Sequence, residues 1–255
     1  MLTKNIVLFG ETGAGKSSVV NLMAGKEVAK TSPDMERCTL HWQEHFIAFD
    51  GHQYKVFDTV GLEEPQLGMK EYLGIIENAY NLITKLQKEG GIDLLLFCVR
   101  AGGVTATLQT NYRLFYEWLC EEKVPIVLVL TGLEREQRME DWWGRNERVF
   151  NQYGIKVNGH ACITAANRLD GRHKDLYATS QTLVRDLVIE HTSEKQGVSF
   201  DDGFLQRFFR SLRELFRGNR PPKKKDVETI LIKRCGMPPE AAKELATNIR
   251  RRGGG

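Results

Sequence analysis

Apolar runs and stretches of helical spacing alternate along this chain. Ile6-Val7-Leu8-Phe9 is the first run and predicts a buried strand, after which Val19-Val20 and Leu22-Met23 recur at helical spacing. Residues 25–35 have no periodicity and carry Thr31-Ser32-Pro33-Asp34, so a long mobile loop is expected there. Two alternating runs, around Phe46-Ile47-Ala48-Phe49 and Tyr54-Lys55-Val56-Phe57, flank Asp50-Gly51, a strong hairpin signal. Across 69–86, Leu73, Ile75-Ile76, Ala79-Tyr80, Leu82-Ile83 and Leu86 repeat with the period of a helix. Residues 92–99 are nearly all apolar between Gly90-Gly91 and Gly102-Gly103, as in a strand buried on both faces. A helix over 108–121, a buried strand over 124–130, a Trp-rich helix over 139–153, a short strand over 161–164 and a helix over 175–190 follow. Strands alternating with helices around one hairpin predict an α/β fold in three layers. Its sheet is mostly parallel with one antiparallel hairpin strand, and a helical extension follows at the C-terminal side.

In such sheets ligands bind beyond the carboxyl ends of the strands, and the chemistry-bearing residues fall there. Gly10-Glu11-Thr12-Gly13-Ala14-Gly15-Lys16-Ser17 lies between the first strand and the first helix. That context makes the pattern G-x-x-x-x-G-K-[ST] a phosphate-binding loop of the P-loop NTPase fold. Its backbone N–H groups, from Glu11 through Thr12, Gly13, Ala14, Gly15, Lys16 and Ser17 to Ser18, can point into one concavity at the positive end of a helix. Lys16 can reach the β- and γ-phosphates and the Ser17 hydroxyl can sit on Mg²⁺. Asp58-Thr59-Val60-Gly61 ends the third strand, where Asp58 can hold Mg²⁺ through water and the Gly61 N–H can face a γ-phosphate. Thr39, between the first helix and the hairpin, either offers its hydroxyl to the ion while a γ-phosphate is present or is an ordinary threonine at a strand start.

Together with Thr131-Gly132-Leu133-Glu134, these stretches resemble a GTPase domain of the septin-like branch. The resemblance is greatest to the immunity-associated GTPases and the chloroplast import receptor GTPases, and it covers residues 1–190. It implies GTP/GDP and Mg²⁺ as ligands, with Ser17, Thr39 and Asp58 on the ion, and Lys16, Thr39 and Gly61 in catalysis. Guanine-selective GTPases carry Asn/Thr-Lys-x-Asp, whose carboxylate takes two hydrogen bonds from the base. Here Thr131 and Glu134 match the ends, while Gly132 replaces the lysine, so packing of an alkyl stem on the base is lost and lower affinity is expected. Ile163-Thr164-Ala165-Ala166-Asn167 resembles the last guanine-contacting loop, with Asn167 as the candidate or a merely polar loop residue. Ras-like enzymes place a water-orienting glutamine after the glycine; this chain has Leu62, so hydrolysis is expected to be slow. Glu63, Glu64 and Gln66 are nearby, and the resembled families pair their nucleotide faces. A homodimer could therefore supply Arg37 or Arg100 to a neighbour, each of which is otherwise a surface charge. The competing classes are a non-catalytic nucleotide-binding interaction module and an ATP-using enzyme with the same loop.

Composition narrows the rest. Hydrophobic residues at 41% and charged residues at 27% are those of a soluble globular protein, and no apolar run approaches a membrane span. Met1-Leu2-Thr3 leads straight into the first strand, so no secretory signal is expected. Five scattered cysteines suit reduced thiols in a cytoplasmic protein better than disulfides or zinc. His41-Trp42-Gln43-Glu44-His45 matches a zinc-protease pattern, but on a strand rather than the helix that chemistry needs. Trp142, Trp143 and Tyr153 read as core or subunit contacts.

Three segments are expected: a nucleotide-binding domain over 1–195, an amphipathic helical extension over 196–218, and a basic linker with a small helical unit over 219–255. Residues 196–255 hold 14 Lys+Arg against 7 Asp+Glu, a net of +7, leaving −4 on residues 1–195 of a chain whose total is +3. Packing onto the first domain, docking on an anionic membrane and binding a partner helix remain open for this tail. No nucleic-acid partner is expected.

Overall fold

The computed structural model describes residues 3–30, 42–59, 69–166, 171–192 and 197–198, with Lys225, Glu228, Thr229 and Lys243 in helical turns further on. Six strands, β1 (Lys4–Phe9), β2 (Trp42–Phe49), β3 (His52–Thr59), β4 (Leu94–Arg100), β5 (Ile126–Thr131) and β6 (Gly159–Cys162), form one sheet in the order β2-β3-β1-β4-β5-β6. Among the described strands only the β2–β3 pair is antiparallel. The α/β fold with one antiparallel hairpin strand is therefore as the pattern predicts. The expected C-terminal extension lies almost wholly outside the described residues. The chain divides into two compact units, residues 1–62 with 85–199 and residues 63–84 with 200–255. The first carries the sheet and the candidate site.

Alternation on the strands decides the two faces. Ile6 and Leu8 of β1, Val56 of β3, Leu94, Leu96 and Cys98 of β4, and Val127 and Val129 of β5 share one buried cluster. Val19, Val20, Leu22 and Met23 of α1 (Lys16–Ala24) and Val184, Leu187 and Val188 of α5 (Lys174–Thr192) complete it. α5 also closes the end of α1: Gln181 Nε2 donates to the Leu22 carbonyl at 2.7 Å and Arg185 Nε to that of Met23 at 2.9 Å. Last-turn carbonyls that have no partner inside their own helix are thereby satisfied. The loop expected from residue 25 starts there, but its first residues are tied down. Asn21 Oδ1 accepts from the N–H groups of Val28 and Ala29.

On the opposite face Phe9 stacks between Phe97 and Phe115, each with ring centroids 4.7 Å away. Phe115 comes from a segment where the structure departs from the expected single helix. α3 (Ala106–Tyr112) continues as a π-helix over Arg113–Leu119, with the Cys120 N–H donating to the Phe115 carbonyl at 3.0 Å. Tyr112 and Phe115 both meet the sheet through Phe97 and Phe9, and the Tyr112 hydroxyl donates to the Lys156 carbonyl at 2.9 Å. α2 (Met69–Lys88) and α4 (Glu140–Gln152) lie where helical spacing places them in the sequence. Among the described residues no helix is long and apolar enough to cross a membrane.

The hairpin turn Asp50-Gly51 has φ of +48° and +77°, the left-handed pair a two-residue turn needs. Beside it in the sheet, Lys55 meets Glu44 at 3.0 Å and Glu89 at 2.7 Å, and Lys85 also pairs with Glu44. Burial alone raises the Glu44 carboxyl, but hydrogen bonds from Lys85, Lys55 and Trp42 outweigh it and hold the group down at about 2, against an ordinary 4.5. A depressed folded-state pKa gives stability that is present above the unfolded value and lost as pH falls through the folded one. Glu44→Gln is therefore expected to be less stable than the parent at neutral pH. The gap should close as pH falls from 4.5 to about 2. Urea unfolding across that range tests it, and a gap independent of pH would remove the carboxylate from the account.

Candidate functional site

The loop after β1 is fixed from several sides. Gly10 has φ +146°, and a Cβ there would lie 2.1 Å from the Cys98 carbonyl oxygen, so β1 can approach β4 this closely only with glycine at its exit. Gly15 caps the start of α1 at φ +85° and has no side chain with which to cap the first turn. The first-turn N–H groups therefore face the loop concavity, with the positive end of the helix behind them. Lys16, buried at 8% exposure, bends back so that Nζ donates to the carbonyls of Gly10 at 3.1 Å and Glu11 at 3.0 Å. The Ala14 N–H closes the turn on the Glu11 carbonyl at 3.2 Å. Thr12 and Gly13 are exposed at the tip, and Ser18 is half-buried in the first turn of α1.

β3 brings the second group. Its parallel pairing with β1 sets Asp58 beside Leu8, and the Thr59 hydroxyl donates to the Leu8 carbonyl at 2.7 Å. The Ser17 hydroxyl then donates to Asp58 Oδ2 at 2.6 Å, joining residues 41 apart in sequence. Burial pushes the Asp58 carboxyl up, while the Ser17 bond and the charges of Lys16 and His45 pull it down. A cation at this point would relieve that desolvation directly. A hydroxyl and a carboxylate are hard oxygen donors of the kind Mg²⁺ takes, alongside waters and phosphate oxygens. Among the described residues no group of three or more His, Cys, Asp or Glu is placed to hold a metal. Trp42 through His45 lie in β2, as the reading of that stretch as a strand expects.

β5 supplies the third. The Thr131 hydroxyl, expected to serve the nucleotide, donates to the Ala14 carbonyl at 2.8 Å, so this side chain braces the phosphate loop from beneath. Glu134 meets the Thr164 hydroxyl at 3.4 Å, and the Leu133 N–H donates to the Ile163 carbonyl at 3.3 Å. The segments proposed from sequence to read a base are thus adjacent at the carboxyl ends of β5 and β6. Thr39, Gly61, Leu62, Asn167 and Arg37 lie outside the described residues.

Two contacts were not expected from sequence. The Thr105 hydroxyl hydrogen-bonds Glu11 Oε1 and also accepts from the Leu108 N–H at 2.9 Å, linking the phosphate loop to the start of α3. A threonine three residues before a helical apolar position is a capping signal that could have been read; its contact with Glu11 could not. Trp143 stacks on His160 at 4.6 Å while Trp142 is buried, which makes the Trp pair a packing feature. Cys98 and Cys162 are buried free thiols pushed up to about 12 by desolvation, so neither is a nucleophile at neutral pH.

Known proteins resemble this chain in sequence and in fold. Immune-associated nucleotide-binding protein 7 of Arabidopsis thaliana is 27% identical over 209 residues, which is 78% of this chain and 64% of the relative. A tRNA modification GTPase, MnmE of Hamiltonella defensa, is 34% identical over 129 residues, 49% of this chain and 25% of the relative. The chain thus spans less than two thirds of the length of these relatives. Among solved structures, Toc33 from Arabidopsis thaliana in complex with GDP and Mg²⁺ superposes with a TM-score of 0.55 at 20% identity, over 79% of this chain and 89% of that one. Era from Aquifex aeolicus bound to GDP.AlF4⁻ gives 0.55 at 16% identity, over 98% and 88%. At these identities the two structures speak for the fold, and the fold is theirs. The expected resemblance to immunity-associated and chloroplast import GTPases is borne out by the first relative and by Toc33. The model of the family described as 50S ribosome-binding GTPase matches residues 5–132, half of the chain, and the chain belongs to that family.

Proposed function

We propose that this chain is a guanine-nucleotide switch of the septin-like branch that binds GTP with Mg²⁺ and hydrolyses it slowly. The observation that carries the reading is the Ser17–Asp58 hydrogen bond of 2.6 Å beside the loop that Lys16 spans. A hydroxyl and a carboxylate of the kind a divalent ion takes lie together beside the loop, which supports the reading.

In this reading the N–H groups from Glu11 to Ser18 and the Lys16 ammonium hold the phosphates, and Lys16 neutralises the charge that grows there during hydrolysis. Ser17, Asp58 and Thr39 would serve the ion, and Gly61 would offer its N–H to the γ-phosphate. Glu134 and Asn167 read the base, and Thr131 sets the loop that carries its phosphates. A bound GTP with Mg²⁺ supplies the phosphoryl group and the charge that such residues organise. Leu62 has no hydrogen-bonding atom in its side chain, so this chain does not orient water there as a glutamine would. Turnover then depends on another group, and pairing of nucleotide faces between two copies would provide one. In the chloroplast translocon components atToc33 and psToc159, dimerization is important for the GTPase activity. We place the chain in the cytoplasm, with the basic segment beyond residue 195 available to a membrane surface or partner protein.

Phosphate release from GTP, measured per molecule against protein concentration with and without Mg²⁺, tests the proposal. Slow, Mg²⁺-dependent turnover that rises with concentration is expected, with ATP failing to compete for the site. GTP binding without any release would leave a non-catalytic interaction module, which the presence of Leu62 favours as the second reading. Displacement of GTP by equimolar ATP would overturn guanine selectivity.

A further inference from the structure

Gly132 stands where guanine-reading segments carry a lysine, and from sequence the base loses its alkyl support. The structure puts another side chain there. Arg100 ends β4 in register with Thr131, and the Ala101 N–H donates to the Thr131 carbonyl at 2.8 Å, which fastens the two strand ends together one residue before Gly132. A Cβ built on Gly132 would lie 3.6 Å from Cγ of Arg100 and 3.8 Å from its Nε. Arg100 Cγ and Nε therefore lie beside Gly132, at van der Waals distance from where a side chain would start, and both residues are exposed. Gly132 has φ +82°, where any side chain is strained, and a lysine side chain leaving it would also run along Arg100. Glycine at 132 and arginine at 100 make one arrangement: the neighbouring strand sets a side chain beside a backbone left bare.

We propose that Arg100 is the platform for the nucleotide base, packing its methylenes and planar guanidinium against one face of the ring in place of the absent lysine stem. The inference rests on the guanine-nucleotide reading above. A guanidinium stacks on aromatic faces more readily than an ammonium does. Two residues past Gly132, Glu134 is held against Thr164 at 3.4 Å, so an edge-reading carboxylate and a face-covering side chain adjoin at the same strand ends. The two have separable effects. Stacking adds affinity for any base, since every base has a π-face, whereas the carboxylate discriminates guanine from adenine.

Calorimetric dissociation constants of the full chain for GDP, ADP and inorganic pyrophosphate, with Mg²⁺, test this for the parent, Arg100→Ala, Arg100→Lys and Glu134→Ala. Arg100→Ala is expected to weaken GDP about tenfold, with Arg100→Lys intermediate because it keeps a stem. Pyrophosphate binding and the GDP-to-ADP ratio should be unchanged in both, while Glu134→Ala should collapse the ratio. GDP binding within about twofold of the parent in Arg100→Ala overturns the platform and leaves the guanine-nucleotide reading standing. An equal loss for pyrophosphate also overturns it, because the arginine would then serve the phosphates. A parent chain that binds pyrophosphate but not GDP takes down both readings.

Discussion

Lys16→Ala is expected to weaken GTP binding about ten- to a hundredfold, the loss that follows removal of one hydrogen-bonding partner from a charged group. Two effects combine. The ammonium is the only side-chain cation that the described loop itself contributes, and it is buried, so its interaction with a phosphate is screened little by water. It also donates to the carbonyls of Gly10 at 3.1 Å and Glu11 at 3.0 Å, so alanine removes the tie across the base of the loop. A positively charged side chain that cannot span that gap would restore only part of the affinity. Calorimetry with GTP and Mg²⁺, with circular dichroism to show that the fold is retained, reads the outcome. Affinity within about threefold of the parent would mean that the backbone N–H groups suffice without the lysine.

The largest effect on stability is expected from Gly10→Ala. Its new Cβ would meet the Cys98 carbonyl oxygen at 2.1 Å, a backbone atom of a central strand that cannot move without breaking the β1–β4 ladder. Phe9, one residue earlier, is clamped between Phe97 and Phe115, so β1 cannot retreat in the other direction either. A loss of about 4 kcal/mol or more is expected, among the largest that single substitutions cause. At about 2–4 °C per kcal/mol the melting temperature should fall by about 10 °C. Gly51→Ala is the matched control. It also sits at positive φ, +77°, but nothing lies within 4 Å of its Cβ, so only the left-handed strain of about 1–2 kcal/mol remains. Chemical denaturation of both separates packing from backbone conformation, and equal losses would show that the contact with Cys98 is relieved cheaply.

Periodicity and glycine spacing by themselves determine most of this architecture. Ile6 to Phe9 could only be a buried strand, Asp50-Gly51 could only turn a hairpin, and a loop of the form Gly10 to Ser17 between strand and helix has one chemistry. These are local properties: side-chain alternation, left-handed φ and helix-end polarity all act within a few residues of sequence. The pairing of Ser17 with Asp58, the bracing of Ala14 by Thr131, the bond from Glu11 to Thr105 and the passage of Arg100 along Gly132 were decided by the tertiary structure alone. Each joins strand ends far apart in the chain, and which ends become neighbours follows from the order β2-β3-β1-β4-β5-β6. The π-helix over Arg113–Leu119 is of the same kind, because helical spacing in the sequence is nearly blind to one extra residue per turn.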